Sequence, residues 1–286
     1  MSSTLTLTRS GEFRAPFWNR VWSVLLWGLV WLFVINVAAV AASVAVDSLG
    51  TRWFGTWLPE GFTTKWYFSA WDEFQLDDVL IVTVKVVAAV VLVSVGLGVP
   101  AAYALARREF AGKRTILLLM LLPVLVPTIT YGVPLATLLY RVNLGGTLAG
   151  VICANLVPTV PFVVLVMTPF IEQIDQRLES AARVCGAGTW GVFRYVLVPL
   201  LAPGIMAASL LVLVRSIGMF ELTFLTAGPD SQTLVVSLYA AAFSAGIRAN
   251  QSLDALAVVY MVSSLFWLII ALRFVNPVQL VARVKD

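Results

Sequence analysis

Side chains suited to acid–base, metal or nucleophilic chemistry are scarce in this sequence and do not cluster. The chain has 286 residues and no histidine, which removes histidine bases and histidine metal ligands. Its two cysteines, Cys153 and Cys185, are too few for a cysteine-ligated zinc site or a disulfide framework. Only 12% of the residues are charged. We therefore expect a protein that is not an enzyme and binds no metal.

The nearest approach to a phosphate-binding loop is Gly112-Lys113, and it departs from the motif at two positions. The pattern GxxxxGK[ST] requires Ser or Thr after the lysine and a further glycine five residues before the second one. Those positions hold Arg114 and Arg107. We expect no cofactor on this chain, so ATP and Mg²⁺, if they drive it, are bound by another polypeptide.

Three polar residues within long apolar stretches are candidates for a translocation pathway: Arg215, Glu221 and Asn155. A charge at the centre of a bilayer costs about 2.5–3.5 kcal/mol or more, so it normally faces protein or water. Arg215 and Glu221 are six residues apart, roughly 9 Å along a helix axis and on different faces, which disfavours a direct pair. For Arg215, a partner on a neighbouring helix and a pathway role are both open. For Asn155, hydrogen bonding between helices is favoured over a pathway role.

The elements that hold these residues are predicted to be membrane-spanning helices. Hydrophobic residues make up 60% of the chain and the mean hydropathy is +0.94, whereas about a quarter of a soluble domain is charged. Six stretches reach the roughly 20 apolar residues that a spanning helix needs. They are residues 21–46, 79–106, 115–140, 147–170, 200–226 and 253–274. The first is too long for a signal peptide and is interpreted as a retained anchor.

The distribution of Lys and Arg predicts the orientation. With the N-terminus inside, thirteen of these residues fall in inner segments and four in outer segments. Because cytoplasmic loops carry the excess of basic residues, both termini are expected in the cytoplasm. The basic pI of about 9.3 is then a sign of topology, and nucleic-acid binding is not expected.

Two segments between the predicted spans are too long to be simple connections between helices. The outer loop, residues 47–78, is interpreted either as an aromatic belt at the membrane interface with a solvated acidic edge, or as a docking surface for an external partner. Its aromatic residues include Trp53, Phe54, Trp57, Trp66, Tyr67, Phe68 and Trp71. The inner loop, residues 171–198, is the sizeable polar segment on the cytoplasmic side, and we expect a cytoplasmic partner there.

The inner loop has the pattern of two short helices joined by a turn. A narrow apolar stripe at helical spacing runs through the first helix, formed by Ile174, Leu178, Ala181, Ala182 and Cys185. Gly186 and Gly188 are expected to form the turn, and Thr189 to cap the second helix. Pro199 is expected to end that helix and begin the next span. Movement of the loop would thus reach the membrane directly.

This loop resembles the EAA loop of permease subunits in binding-protein-dependent ABC importers. Gly186 and Pro199 are thirteen residues apart, and Ala181-Ala182 occupy the matching positions. The usual glutamate position holds Ser180, with Glu179 one residue earlier. The stretch 101–107, followed by 110–114, resembles the exit of the family's second span. The resemblance covers about residues 75–275 and implies six helices in the type I importer permease architecture.

The resemblance also implies a mechanism and partners. Glu179, Ser180, Ala181, Ala182, Gly186 and Pro199 would belong to the loop that couples to the ATPase. A cytoplasmic ABC ATPase dimer would push this loop, and an extracytoplasmic substrate-binding protein would deliver the solute. A second, non-identical permease would complete the pathway in the bacterial inner membrane. Glu221 is favoured as a pathway residue because its position resembles an acidic site in relatives.

A polyamine such as spermidine or putrescine is the expected solute, with a carbohydrate as the alternative and iron or another organic solute after these. An ion-coupled carrier or a membrane enzyme is the alternative of a different class. Prolines in the third and fourth spans are expected either to be ordinary membrane prolines or to line a cavity with freed carbonyls. The apolar segment 233–245 resembles the family's short outer helix.

The expected organisation is a single membrane domain. The cytoplasmic N-terminal tail is residues 1–20, the first span 21–46, and the outer loop 47–78. A core of five spanning helices and the inner loop follows in residues 79–275, and the cytoplasmic C-terminal tail is residues 276–286.

Overall fold

The computed structural model describes residues 17–51, 59–243 and 249–274, and helices dominate these ranges. The two predicted tails lie almost entirely outside the described residues. In the described part the α-helices are α1 (Phe17–Asp47), α2 (Lys65–Glu73), α3 (Leu76–Arg107), α4 (Lys113–Leu125), α5 (Thr128–Arg141), α6 (Leu148–Glu172), α7 (Gln176–Val184), α8 (Thr189–Val192), α9 (Val198–Ile217), α10 (Glu221–Thr226), α11 (Leu234–Phe243) and α12 (Asn250–Phe274).

The expectation of an all-α membrane protein is confirmed. Within the described residues, five helices are long and apolar enough to cross a bilayer, and the α4–α5 pair makes six if it counts as one span. The five are α1, α3, α6, the continuous helix Thr189–Ile217 and α12. Each of the six predicted stretches overlaps one of these elements.

The third predicted span, residues 115–140, is not one straight helix. α4 and α5 meet at 99° because Pro127 lacks an N–H and pushes the preceding residue out of the helical region. Val126 is accordingly extended, with φ −73° and ψ 134°. The carbonyl of Pro123, which would have accepted from residue 127, accepts instead from the Tyr131 hydroxyl at 3.2 Å. The expectation that a proline frees a carbonyl is met here.

The predicted fifth span, residues 200–226, is wrong at both ends. Its helix begins at Thr189 and ends at Ile217, and α10 is a separate short helix. Pro199 does not end the helix that precedes it. A π-turn at Phe193–Leu197 accommodates the proline, and the Val198 N–H bonds back five residues to the Phe193 carbonyl. Such a wide turn relieves the clash between a proline ring and the carbonyl four residues earlier.

The core forms where α3, α6 and α9 pack together. Val90 on α3, Met167 on α6 and Val212 on α9 are fully buried in one cluster. At the crossing of α3 and α6, a Cβ atom on Gly98 would lie 2.6 Å from Cγ1 of Val163. A glycine there allows the two helices to approach this closely.

The outer loop is held by hydrogen bonds to the end of α1. The Trp66 indole N–H donates to the Gly50 carbonyl at 2.7 Å, and the hydroxyls of Tyr67 and Ser48 are 2.7 Å apart. These two aromatic residues therefore position the loop. Trp53, Phe54 and Trp57 lie outside the described residues. α1 packs against α12 but leaves its apolar surface exposed.

We expect Gly98→Leu to lower the free energy of unfolding by about 1–3 kcal/mol, because the added side chain overpacks the α3–α6 contact. Gly96→Leu is the matched control: it changes the same residue type in the same helix, where a Cβ meets nothing within 4 Å. Thermal unfolding in detergent measures both. Equal destabilisation of the two variants would contradict the close approach of the two helices as the reason for Gly98.

Candidate functional site

The inner loop begins with α7, a helix whose two ends are defined by local hydrogen bonds. The Asp175 side chain accepts from the Arg177 N–H at 2.9 Å and caps the N-terminus. At the C-terminus, Gly186 has φ +89°, a conformation that favours glycine. The Ala187 N–H then donates to the Ala182 carbonyl at 3.0 Å, as in a Schellman motif.

Two details of the predicted turn are wrong. Gly188 has φ −70°, so it does not supply a left-handed conformation. Gly188, not Thr189, is the residue that precedes α8, and the Thr189 side chain makes no capping hydrogen bond there. Gly186 alone reverses the chain, and α8 then runs on into the membrane.

Glu179 is directed into the protein and not toward solvent. It is 6% exposed, and its carboxylate accepts from the Tyr103 hydroxyl at 2.8 Å and from Nε of Arg107 at 2.7 Å. Nη2 of Arg107 donates to the Ile174 carbonyl at 2.7 Å. Both carboxylate oxygens are therefore engaged within the chain, and they join α7 to the end of α3.

The other predicted coupling residues have different environments. Ser180 is exposed, and its hydroxyl donates to the Gln176 carbonyl at 3.2 Å, an ordinary bond on a helix surface. Ala181 is exposed, whereas Ala182 packs against the main core. Pro199 lies within the continuous helix described above.

Large apolar side chains face away from the bundle around the turn. Val184 is 89% exposed, Tyr195 75% and Trp190 68%. The ring of Trp190 stacks on Phe193 with 5.7 Å between centroids, and the ring of Phe193 meets Tyr103 edge-on. We call Val184, Trp190 and Tyr195 the apolar tip of the inner loop.

A cationic cavity of about 620 Å³ lies between α3 and α7. Arg107, Arg108 and Arg183 line it, together with Ser180 and Thr189. Arg107 is paired with Glu179, whereas Arg108 and Arg183 make no ion pair within the described residues. The cavity therefore presents an excess of positive charge beside the apolar tip.

The predicted pathway charges come from two helices and not one. Arg215 is near the end of α9, and its guanidinium carbon lies 5.6 Å from the centroid of the Phe162 ring on α6. Glu221 is half-buried and is the first residue of α10, beyond the break at Gly218. The separation of Arg215 and Glu221 along a single helix axis, which the sequence suggested, therefore does not apply. Both charges lie in the neighbourhood of Tyr131 on α5.

Asn155 joins two helices. It is 1% exposed, and its amide donates to the Val151 carbonyl at 2.8 Å and to the Thr223 hydroxyl at 3.1 Å. This is the hydrogen bonding between helices that the sequence favoured. Its carbonyl oxygen is buried without a partner in the described residues.

Four aromatic rings on α10 and α11 and in the residue preceding α10 form a contiguous group next to Glu221. We call Phe220, Phe224, Tyr239 and Phe243 the aromatic cluster. Centroid separations are 4.6 Å for Phe220–Tyr239, 5.2 Å for Phe220–Phe224 and 4.5 Å for Tyr239–Phe243. Phe224, Tyr239 and Phe243 are exposed.

Sequence reasoning did not find the cluster or Tyr131. The cluster is formed by residues 220–224 and 239–243, which have no shared motif. For Tyr131, the usable signal was its spacing of eight residues from Pro123 and four from Pro127, across the bend.

A family model described as "binding-protein-dependent transport system inner membrane component" matches residues 94–284. A probable molybdenum ABC transporter permease of Haloferax volcanii is 36% identical over 58% of this chain. That match spans 65% of the relative, so the chain spans slightly less than two thirds of its length. The trehalose transport system permease SugB of Mycobacterium tuberculosis is 29% identical, over 71% of this chain and 73% of the relative.

The fold is similar to a solved structure. The crystal structure of a bacterial ABC transporter involved in the import of the acidic polysaccharide alginate superposes with a TM-score of 0.73 at 17% identity. The match covers 91% of this chain and 96% of that one. The names of these three proteins refer to molybdenum, trehalose and alginate, and not to polyamines.

We expect Glu179→Ala to detach α7 from α3, because it leaves the buried guanidinium of Arg107 without its counter-ion. Breaking one side of a buried pair costs about 3–5 kcal/mol. Trypsin cleavage after Arg177 and Arg183 measures the opening of α7. Glu172→Ala, which removes an exposed carboxylate at the end of α6, is the control. Unchanged cleavage rates in both variants would contradict an anchoring role for Glu179.

Proposed function

The chain belongs to the family of binding-protein-dependent transport system inner membrane components, and we propose that, as a permease subunit of an ABC importer, it conducts a carbohydrate. Import of a solute through the inner membrane follows from the family. The class of solute, the pathway residues and the assembly with partners are the proposal.

The observation that carries the proposal is an aromatic surface beside charges of opposite sign. Glu221 directly follows Phe220 of the aromatic cluster, and both Glu221 and Arg215 lie near Tyr131. One carboxylate and one guanidinium leave this region close to neutral. Aromatic rings offer apolar faces and Tyr also offers a hydroxyl, a combination suited to sugar rings, which have apolar C–H faces and peripheral hydroxyls.

A polyamine, the solute first expected, fits this region less well. A polyamine has two or three positive charges, and Glu221 is the carboxylate that would bind it. Arg215, which is permanently charged and lies in the same region, would repel it. The trehalose permease among the relatives also supports the carbohydrate alternative over the polyamine.

An oxyanion such as molybdate is the second candidate. Arg215 is a half-buried cation whose guanidinium has the geometry to bind oxyanions, and the relative at 36% identity is a probable molybdenum permease. Glu221 would repel such a solute, which places the oxyanion after the carbohydrate.

We propose that a cytoplasmic ATPase dimer binds the inner loop and that its closure moves α7 and α8. α7 is anchored to α3 by Glu179, and α8 continues into α9. A push on the loop would therefore reach two core helices together. A second, non-identical permease would face this chain across the pathway, and an extracytoplasmic binding protein would deliver the solute.

The chemistry of the loop specifies the surface that the ATPase would present. The apolar tip requires an apolar cleft. Arg108 and Arg183, which have no ion-pair partner among the described residues, favour carboxylates at the rim of that cleft. Glu179 is buried, so it would serve to position α7 and would not contact the ATPase. The attraction would thus run from arginines on the permease to acids on the ATPase.

The function is tested with the full complex, co-purified with its ATPase, second permease and binding protein and reconstituted into liposomes. Hydrolysis of ATP is measured with disaccharides, spermidine and molybdate. Stimulation by a disaccharide supports the proposal. Stimulation by molybdate alone selects the second candidate, and stimulation by spermidine alone restores the polyamine.

We expect Tyr239→Ala to raise the sugar concentration needed for half-maximal stimulation about twofold to tenfold, since one aromatic contact contributes about 0.5–1.5 kcal/mol. Phe266→Ala, an exposed aromatic on α12, should leave that concentration unchanged. A complete loss of transport in Arg215→Gln with no effect of Tyr239→Ala would instead indicate an oxyanion pathway.

We expect Arg183→Glu to weaken binding of the ATPase about tenfold or more, because it reverses the charge that faces the acidic rim. Trp190→Ala should weaken it by removing part of the apolar tip. Arg141→Glu, the same charge reversal at an exposed arginine at the end of α5, is the control. Pull-down of the ATPase from detergent measures all three, and retention by Arg183→Glu would contradict the proposed sign of the contact.

A further inference from the structure

A narrow apolar groove runs along the outside of the bundle between α3, α9 and α12. It has a volume of about 280 Å³, and its lining includes Leu80, Ala88 and Leu92 of α3, Leu213 of α9 and Trp267 of α12. The Thr83 hydroxyl in its wall is satisfied, because it donates to the Val79 carbonyl and accepts from the Leu234 N–H. The groove therefore offers an apolar lining to the membrane.

The length of the groove matches one leaflet. From Leu80 to Leu92 is twelve residues, or roughly 18 Å along the helix. One leaflet has about half of the roughly 30 Å hydrocarbon thickness. A single extended hydrocarbon chain is complementary in length and polarity to such a groove.

Lys85 directly follows Val84 on α3, and its own side chain is not part of the groove lining. It is exposed on α3, between Val84 and Ala88, which both line the groove. It forms no ion pair within the described part of the chain. Lys85 is roughly 10 Å along the axis from Asp78 in the first turn of α3, so its long side chain reaches up toward the headgroup layer.

At the level of the headgroup layer, the Lys85 ammonium is placed to bind an anion. The apolar groove beside it supplies no carboxylate, and the bilayer supplies phosphate headgroups with acyl chains attached. The positive charge and the apolar groove are therefore complementary to the two parts of one molecule.

We propose that Lys85 and the groove form a binding site for one anionic phospholipid, with the phosphate on the Lys85 ammonium and one acyl chain along the groove. A headgroup without its own cation, such as phosphatidylglycerol, is preferred over phosphatidylcholine, because it leaves the phosphate free for the lysine. The site is separate from the pathway charges and does not depend on which solute is carried.

Native mass spectrometry of the purified complex tests the site. After delipidation, phosphatidylglycerol or phosphatidylcholine is added back and bound lipid is counted. We expect the unmodified chain to retain phosphatidylglycerol about tenfold more strongly, and Lys85→Gln to lose this preference. Ala88→Trp, which fills the groove, should lose both lipids. Arg141→Gln, a change at another exposed cation, should behave like the unmodified chain.

A photo-reactive benzoylphenylalanine at Val84 identifies the occupant in native membranes. An adduct with the mass of a phospholipid supports the proposal, and an adduct with a polypeptide overturns it. Unchanged lipid preference in Lys85→Gln, together with full retention in Ala88→Trp, would also overturn it. Both measurements are independent of solute-stimulated hydrolysis. Failure of the lipid site can therefore be distinguished from failure of the proposed carbohydrate transport.

Discussion

The buried ion pair between Arg107 and Glu179 is the constraint on which the inner-loop half of the molecule depends. Arg107 is the last residue of α3, and its guanidinium also binds the Ile174 carbonyl just before α7. A short polar helix of nine residues is marginal by itself in water. The pair gives that helix a fixed position on a core helix. The exposed residues of α7, including Arg183 and Val184, take their orientation from this contact.

The membrane half depends on how prolines and one glycine are accommodated. Pro127 bends α4 against α5 and places Tyr131 where its hydroxyl replaces the missing donor. The break at Gly218 separates Glu221 from the helix of Arg215. Three polar groups from α5, α9 and α10 consequently share one region that no straight helix would assemble.

The positions of the helices could be predicted because the thickness of a bilayer demands runs of about 20 apolar residues, which are rare in soluble domains. The inner loop could be found because its glycine and proline spacing is specific. The breaks in the spans could not be placed, since a proline bends one membrane helix and is absorbed by a π-turn in another. Pro127 and Pro199 illustrate the two outcomes, and tertiary contacts decide between them.

The orientation of the site residues could not be predicted from the sequence either. Glu179 was identified, but the inward direction of its carboxylate depends on Tyr103 and Arg107, more than seventy residues away. The aromatic cluster needs α10 and α11 to fold back on each other, which neither segment signals.

The π-turn at Phe193–Leu197 also changes the direction in which the side chains before it point relative to those after it. It inserts one extra residue into a turn of an otherwise α-helical rod, so the side chains before it are rotated by about 100° relative to those after it, compared with an uninterrupted helix. Trp190 and Arg215 lie on opposite sides of this insertion. The direction in which Trp190 points is therefore offset from the direction in which Arg215 points. Gain or loss of a single residue in this turn would re-aim one surface while leaving the composition of both unchanged.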